Sequence, residues 1–280
     1  MKVSIIIPSL GRKILADVLE SILINDKFAQ ISPEIIVIFN GEDTQKFSRK
    51  KFLKHSNIKF YNCKVPGCSA ARNAGLSNAQ GEIIIFLGDD TIPAKNWLET
   101  HYNFHINSRN RNCVLLGQVK WHKKFAFRPF YKWLENGVLF NFRGLRNPNF
   151  RHFYTSNISL SRALIGREKF SKRFFGWGFE DTEFGYRLQK KGMLIDYDET
   201  CRVFHHHEQS LSKLLCSTEQ ARQNAKIFES LHSEVRILPR GYKLLILKIL
   251  IWGAKFVPKK ISRKIYWWRK WKQSWIGDVV

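Results

Sequence analysis

The chain has 280 residues, 44% of them hydrophobic, which is enough to bury the core of one large α/β domain or of two joined halves and excludes disorder over the whole length. Its 47 Lys and Arg residues against 23 Asp and Glu residues give a net charge of +24, which favours anionic partners such as nucleic acid, acidic lipid or phosphorylated substrates. Five cysteines without a CxxC pair argue against a disulfide framework or a zinc site and predict free thiols in a reducing compartment.

The first hundred residues alternate strand patterns with helix patterns. Compact apolar runs predict buried strands at Val3–Ile7, Ile35–Phe39, Ile58–Tyr61 and Ile83–Leu87. Apolar residues at helical spacing predict a helix over 14–24, and a second helix is predicted over 69–79, with Gly81 as its stop signal. This alternation indicates a mostly parallel sheet with helices on both faces, in which ligands bind beyond the carboxyl ends of the strands.

The second half of the sequence is less regular. Its patterns predict a short helix near Phe130–Leu139, a strand at Tyr154–Leu160, helices at Asp181–Lys191 and Leu211–Leu231, and a basic apolar helix at Lys243–Val257 before the basic aromatic stretch Lys259–Trp275. No signal peptide is expected, because Pro8 ends the first apolar run early. No uncharged apolar run reaches the ~18 residues of a membrane span.

Asp89 and Asp90 form the first acidic cluster of this basic chain, directly after the apolar run Ile83–Leu87. Carboxylates at the end of a strand, on the rim where ligands bind, suit a hard divalent cation such as Mg²⁺ that also contacts substrate phosphates. The alternative is a solvated turn that caps a helix, because Pro93 and Trp97 follow.

Glu180, Asp181 and Glu183 form the second acidic cluster, just after two glycines that flank Trp177. Glycines beside a Trp let the backbone bring an aromatic face close to a ligand. A functional interpretation makes Asp181 a general base and Glu180 an acceptor of hydrogen bonds from substrate hydroxyls. The alternative is that these acids only favour the start of a helix.

Three consecutive histidines, His205–His207, follow the stretch Cys201–Phe204. At least one of them could complete an oxygen-rich metal site as an imidazole ligand. The triplet does not match the ligand spacing of tetrahedral zinc sites. A structural or surface role for each histidine stays open at this point.

Taken in order, these segments resemble the family 2 glycosyltransferases of the GT-A fold, over residues 2–210. The matching segments are Ile5–Ser9, Glu34–Ile38, Ala70–Gly75, Phe86–Pro93, Ser156–Leu160, Gly176–Glu183 and His205–His207. The Gly-Trp-Gly-x-Glu-Asp segment is also similar to the galactosyltransferase-type C-terminal half of chondroitin-polymerase-like and β-1,4-galactosyltransferase-like enzymes.

The resemblance implies an α/β, Rossmann-like GT-A fold and an inverting transfer of a sugar from a nucleoside-diphosphate sugar, with a UDP-sugar favoured. The acceptor would be a glycan or a lipid-diphosphate-linked molecule in cell-surface polysaccharide synthesis. Residues 1–97 would form the nucleotide-sugar-binding half, 98–230 the acceptor-binding and catalytic half, and 231–280 a basic helical tail.

The resemblance also gives roles to single residues. The nucleotide sugar would lie among Pro8, Ser9, Asn40, Arg72, Asp89 and Asp90. Asp90 with His205 or His207 would hold Mn²⁺ or Mg²⁺. Asp181 would deprotonate the acceptor hydroxyl, while Glu180 and Trp177 would hold the acceptor sugar.

Three positions depart from the family pattern. Gly88 and Asn40 stand where the family often has Asp, and Gly11 stands where it often has Asn. A catalytically impaired protein of this fold is therefore one alternative. A basic nucleic-acid-binding protein is another, although no nucleic-acid motif is recognised and the acidic clusters would repel phosphates in the absence of a metal. We therefore expect no nucleic-acid partner.

The last fifty residues combine an apolar helix with Lys, Arg and Trp, a composition that suits a membrane interface with anionic lipid. We expect the protein to be cytoplasmic and peripheral at the inner face of the cell membrane, where the site would meet a lipid-linked acceptor. The alternative is a helix packed on the catalytic core.

Overall fold

The structure is a computed structural model that describes residues 1–41, 47–136, 139, 145 and 147–277. The chain divides into two compact units, here called the sheet unit and the helical unit. The sheet unit comprises Met1–Ser171 and Asp181–His207. The helical unit comprises Lys172–Glu180 and Glu208–Val280.

The described part of the sheet unit contains an eight-stranded sheet in the order β3-β2-β1-β4-β7-β6-β8-β5. The strands are β1 Val3–Ser9, β2 Glu34–Phe39, β3 Ile58–Asn62, β4 Ile83–Leu87, β5 Thr91–Pro93, β6 Cys113–Trp121, β7 Asn157–Ser161 and β8 Leu194–His205. Strands β1 to β4 pair in parallel, as predicted. The second half of the sheet is mixed, because β7 runs antiparallel to both β4 and β6 whereas β6 and β8 are parallel.

The buried runs explain why these strands form. Ile5, Ile6 and Ile7 are all fully buried, which means that both faces of β1 are covered, as in parallel sheets. The predicted strands β1 to β4 and β7 are confirmed, with ends that differ by a few residues. Strands β5, β6 and β8 were not predicted.

The α-helices in the described part of the sheet unit are α1 Leu15–Leu23, α2 Phe28–Ile31, α3 Cys68–Asn78, α4 Trp97–Asn107, α5 Lys123–Ala126, α6 Pro129–Glu135, α7 Arg162–Ile165 and α8 Glu180–Lys190, of which the first residue, Glu180, belongs to the helical unit. The predicted helices over 14–24, 69–79 and 181–191 agree with α1, α3 and α8 to within about one residue at each end. The helix predicted near 130–139 corresponds to α6, and positions 137 and 138 lie outside the described residues.

The helical unit contains α9 Leu211–Leu231, α10 Gly241–Gly253 and α11 Arg263–Ile276. Helix α11 packs along α9, and its buried Ser274 hydroxyl donates a hydrogen bond to the Leu215 carbonyl at 3.0 Å. The basic aromatic stretch is therefore a helix, capped at its start by the Ser262 hydroxyl. None of the helices in the described ranges is both long and apolar enough to cross a bilayer.

Candidate active site

The turns that follow β1 and β4 meet at one edge of the sheet. Because β1 and β4 are parallel neighbours, their carboxyl ends lie side by side. The Ser9 hydroxyl donates to Asp89 Oδ2 at 2.8 Å, and the Leu10 amide donates to the same oxygen at 3.2 Å. Asp89 is buried, so its carboxylate joins the two turns from within. Pro8 and Ser9, the last residues of β1, pair with Ile38 and Phe39 of β2.

Two of the departures from the family pattern fit the backbone at this edge. Gly11 has a φ of 72°, in the left-handed region that Gly enters without strain and that Asn also tolerates. A Cβ atom at Gly88 would lie 3.1 Å from Thr91 Oγ1 and 3.3 Å from Asp90 Oδ1, so a larger residue there would crowd the Asp90 carboxylate.

Asp90 lies at the centre of a group of charged and titratable side chains. The Arg12 guanidinium is 2.6 Å from Asp90 Oδ2 and 3.2 Å from Asp89 Oδ1. His205 Nε2 is 3.4 Å from Asp90 Oδ1, and His207 Nδ1 is 3.9 Å from Oδ2. The pairing of Thr91 in β5 with His205 in β8 brings these distant segments together. The structure thus places two of the predicted metal ligands, His205 and His207, beside the carboxylate of the third, Asp90.

The two aspartates differ in electrostatics although they are adjacent. Burial and the neighbouring Asp90 charge raise the pKa of Asp89 to about 6, against the opposing effect of Arg12. Burial would also raise the pKa of Asp90, but His205, Arg12 and His207 outweigh it and hold that pKa well below its ordinary value. Asp90 is therefore the carboxylate that stays ionised most readily.

The donor set around Asp90 is one carboxylate and two imidazoles, a combination that suits Mn²⁺ and related divalent ions. Within the part of the chain that the structure describes, however, no group of three or more His, Cys, Asp or Glu residues is arranged to hold a metal ion. Arg12 contacts both carboxylates in this arrangement. The residue types fit a metal, but their present geometry is that of an ion-pair cluster.

Asn40 and Arg72 are the other predicted donor-site residues. Asn40 contacts the loop that leads into α3, and Arg72 lies in the first turns of that helix. The Asn40 amide nitrogen donates to the Val65 carbonyl, and its oxygen accepts from the Gly67 amide at 2.7 Å. Asn40 thereby shapes the loop. The Arg72 guanidinium lies over the Phe170 ring, 5.4 Å from its centroid. Contact of either residue with a nucleotide stays a prediction.

Asp181, the second residue of α8, is anchored next to the turn after β4. The Thr155 amide donates to Asp181 Oδ2 at 3.4 Å, and the Thr182 amide donates to Oδ1 at 2.8 Å. The backbone carbonyl of the next residue, Ser156, accepts a hydrogen bond from the Gly88 amide at 3.3 Å. The backbone of two consecutive residues, Thr155 and Ser156, thus connects the start of α8 to the turn that carries Asp90, although Asp90 and Asp181 are far apart in sequence.

A short loop in the helical unit presents two aromatic side chains. Phe175 is 76% exposed and Trp177 is 46% exposed. Gly176 and Gly178 have φ values of 67° and 95°, and Phe179, which also has a positive φ of 72°, ends the loop. This conformation turns the backbone tightly enough to leave the Phe175 and Trp177 side chains in solvent.

Helix α9 holds this loop in place. Asn224 donates to the carbonyls of Phe175 and Gly178, both at 2.8 Å, and Gln220 accepts from the Trp177 amide at 3.1 Å. The Phe179 ring stacks on Trp275 of α11 at 6.2 Å between centroids. Glu180, the first residue of α8, belongs to the same unit and is buried. Trp177 is therefore an exposed aromatic side chain on a fixed backbone, and its contact with an acceptor sugar stays a prediction.

Sequence reasoning missed two features of this site. Arg12 was given no role from the sequence, although a cation three residues beyond the end of a strand, in a fold that collects strand ends at one edge, was a usable signal. The contribution of Thr155 and Ser156 had no such signal, because it consists of backbone groups.

Comparison with known proteins settles the family. The sequence pattern described as glycosyl transferase family 2 matches residues 4–174. The chain belongs to this family. The matched residues include the turns after β1 and β4 and the backbone of Thr155 and Ser156, and they end before Gly176, so family membership rests on the sheet unit.

Individual relatives are more distant. A chondroitin synthase of Pasteurella multocida is 25% identical over 240 residues, and the match covers 72% of this chain but only 24% of that protein. The chain thus spans about a quarter of the length of this curated relative. The crystal structure of S. aureus TarS 1-349 superposes with a TM-score of 0.59 at 16% identity, covering 99% of this chain and 89% of that one.

A second solved structure shares the fold. The mannosyltransferase PcManGT from Pyrobaculum calidifontis, in complex with GDP-Man and Mn²⁺, superposes with a TM-score of 0.60 at 14% identity, covering 98% of this chain and 86% of that one. These likenesses establish the GT-A fold of the chain.

Proposed function

We propose that this chain is an inverting, metal-dependent glycosyltransferase that moves a sugar from a nucleoside-diphosphate sugar to a glycan or lipid-diphosphate-linked acceptor in cell-surface polysaccharide synthesis. The observation that carries the proposal is the backbone link through Thr155 and Ser156, which holds Asp181 beside the turn of Asp90. Membership of glycosyl transferase family 2 supports the reaction class.

The donor would bind at the carboxyl ends of β1, β2 and β4. Pro8, Ser9, Asn40 and Arg72 would surround the nucleotide. A UDP-sugar is favoured, because TarS has been solved with UDP and with UDP-GlcNAc, whereas PcManGT was solved with GDP-Man. Asn40 can hydrogen-bond a ribose or base only if its contacts with Val65 and Gly67 are exchanged.

The metal would be Mn²⁺ or Mg²⁺, held by Asp90 with His205 or His207. When bound, it would neutralise charge that develops on the departing diphosphate. Arg12 shares Asp90 in the ion-pair cluster, so it would turn toward the diphosphate and add positive charge there. Asp89 would keep its role of joining the two turns.

Asp181 would act as the general base. Its carboxylate would take the proton of the attacking acceptor hydroxyl, at the point where negative charge develops on that oxygen. Trp177 would stack on the acceptor sugar, and Glu180 would accept a hydrogen bond from one of its hydroxyls. These roles follow the galactosyltransferase-type reading of the Gly-Trp-Gly-x-Glu-Asp segment.

Family membership does not favour the two alternatives, a nucleic-acid-binding protein and an inactive member of the fold. Nor does the fit of Gly88 and Gly11 to their turns point to a damaged site.

The function is tested by measuring release of nucleoside diphosphate from a panel of nucleotide sugars with Mn²⁺ or Mg²⁺. We expect release from at least one donor, stimulated by mixtures of glycan or lipid-linked acceptors and lost on chelation of the metal. The absence of release from every donor, under conditions in which the protein is folded, would contradict the proposal.

We propose further that the enzyme works at the inner face of the cell membrane, as a peripheral protein. This location would bring the site to a lipid-linked acceptor. The basic composition of residues 231–280 supports it.

A further inference from the structure

Helix α10 has two apolar faces rather than one. Leu244, Leu247 and Ile251 lie three or four residues apart and therefore share one side of the helix, where Ile251 is 4% exposed. The helix contacts α11 within the helical unit. This narrow stripe is sufficient to dock α10, and a helix that only packed on its own unit would carry polar residues elsewhere.

The opposite side of α10 is apolar and faces solvent. Its members are Tyr242, Leu245, Ile246, Ile249, Leu250 and Trp252, each between 52% and 69% exposed. Their spacing places all six within about 160° of the helix circumference, at 100° per residue. Scattered exposed apolar residues are ordinary on proteins, but a continuous face of large ones indicates an interaction surface.

Basic residues border this exposed face. Lys243 and Lys248 stand at its two edges by helical position, and both are exposed. From Val235 to Gly277 the sequence has 12 Lys and Arg residues and no Asp or Glu. A long Lys side chain beside an apolar face can place its ammonium at the level of lipid phosphates while its stem covers apolar surface.

This charge pattern selects among possible occupants of the face. A second copy of the chain would bring two surfaces of the same strong positive charge together across a symmetric interface, which is unfavourable. An anionic bilayer offers an apolar interior and a negative surface at once, and each basic residue near that surface strengthens binding. The 13 residues of α10 are too few to span the bilayer but suit a helix lying in its plane.

We propose that α10 lies in the interface of an anionic membrane, with its exposed apolar face inserted among the lipids and Lys243 and Lys248 at the phosphates. This proposal builds on the membrane location proposed above, because it identifies the surface through which the protein would bind the membrane. It does not depend on the transfer reaction, since it uses no residue of the candidate active site.

Flotation of the full chain with phosphatidylcholine vesicles containing phosphatidylglycerol tests this proposal. We expect the wild-type protein to float with the vesicles, and Ile246→Ser combined with Ile249→Ser to reduce the bound fraction at least tenfold. The matched control is Ile24→Ser combined with Leu53→Ser, which removes two apolar side chains of the sheet unit that are more exposed than Ile246 and Ile249, and it should leave flotation unchanged.

Unchanged flotation of the α10 variant would overturn the proposal. So would a purely electrostatic interaction, in which high salt releases the wild type completely and the serine variant binds as well as the wild type at low salt. A change of oligomeric state in the α10 variant, without a change in vesicle binding, would identify the face as a dimer interface instead. Equal thermal unfolding temperatures of all variants would exclude misfolding. Asp181→Asn should float like the wild type, whether or not sugar transfer is found.

Discussion

The two units of this protein differ in where they place charged and large apolar side chains. In the sheet unit, the charged groups of the candidate site are drawn together and inward: Asp89 is buried, and Arg12 lies against both aspartates. In the helical unit, large apolar groups are turned outward, as Trp177 on its loop and as a whole face of α10. The difference suggests that the sheet unit is preorganised for small charged ligands, whereas the helical unit presents surfaces to larger partners.

The contrast also separates two ways of fixing a residue. Asp90 is positioned by strand pairing, because it directly precedes β5, in which Thr91 pairs with His205 of β8. Trp177 is positioned by side chains of α9 that hold the backbone of its loop and leave the ring in solvent. Substitutions should therefore affect donor chemistry and acceptor binding separately.

The largest effect is expected at Asp181. Asp181→Asn should lower kcat of sugar transfer by about 10² to 10⁴-fold, the usual contribution of a general base, because the amide cannot accept the acceptor proton. The remaining side-chain oxygen can still accept from the Thr155 amide, which keeps the link between α8 and Thr155, whereas the hydrogen bond from the Thr182 amide is lost. Steady-state kinetics with saturating donor measure the effect.

Asp196→Asn is the matched control, since Asp196 is an exposed aspartate in β8 of the same unit. It should leave kcat within about twofold of wild type. A wild-type rate in Asp181→Asn would remove Asp181 from the role of base, whatever the donor proves to be.

The next effect concerns the stability of the sheet unit in acid. Burial lowers the pKa of His101 to about 3 and that of His105 to about 4. Each folded pKa lies below the ordinary value of 6.5, so the stability associated with a neutral histidine is present above pH 6.5 and is lost as the pH falls toward 3. From pH 7 to 5, His101 alone should reduce the free energy of unfolding by about 2 kcal/mol.

Chemical denaturation at pH 7 and pH 5 checks this prediction. His101→Gln should show a smaller pH dependence than the wild type, even if it is less stable at both pH values through loss of the contacts with Ser159 and Asn157. An equal pH dependence in the two proteins would mean that His101 does not stay neutral in the folded state.

A smaller effect is expected at the acceptor surface. Trp177→Ala should raise the KM for acceptor about tenfold, since it removes the exposed ring on which a sugar would stack, and should leave the KM for donor unchanged. Phe175→Ala is the control, because it truncates a more exposed aromatic of the same loop. Equal changes in both variants, or a change in donor KM, would place Trp177 outside the acceptor site.

The smallest effect is expected at Arg12. Arg12→Gln should tighten binding of Mn²⁺ in the absence of nucleotide by several-fold, because it removes a cation that contacts both carboxylates. The same variant should weaken binding of nucleoside diphosphate. Isothermal titration with Mn²⁺ alone separates the two effects, and Arg12→Lys should lie between the variant and the wild type. Weaker Mn²⁺ binding in Arg12→Gln would show that Arg12 and the metal do not compete.

Much of the fold could be predicted because buried parallel strands are continuous apolar runs. Strands β1 and β4 are of this kind, and their ends were placed to within two residues. Strand β6 was missed because Gly117 and Gln118 interrupt its apolar run, at the point where its pairing with β8 shifts register. Helix α4 was missed because His101 and His105, both buried, interrupt the apolar spacing that marks a buried helix face.

The candidate site shows the same limit. The residue types of Asp90, His205 and His207 indicated a metal site, and the structure brings the three side chains together. The reach of the Arg12 side chain and the backbone link through Thr155 depend on tertiary geometry, which composition does not encode. In the tail, the sequence indicated a basic apolar helix but not that one side would be buried and the other exposed.

The central claim is that Asp90 and Asp181 divide donor binding and base chemistry between them at one end of one sheet. Titration of UDP with Mn²⁺ into the wild type, Asp90→Asn and Asp181→Asn tests it most directly. We expect that the wild type and Asp181→Asn bind UDP with equal affinity and that Asp90→Asn binds UDP at least tenfold more weakly. Wild-type affinity in Asp90→Asn, or loss of binding in Asp181→Asn, would contradict it.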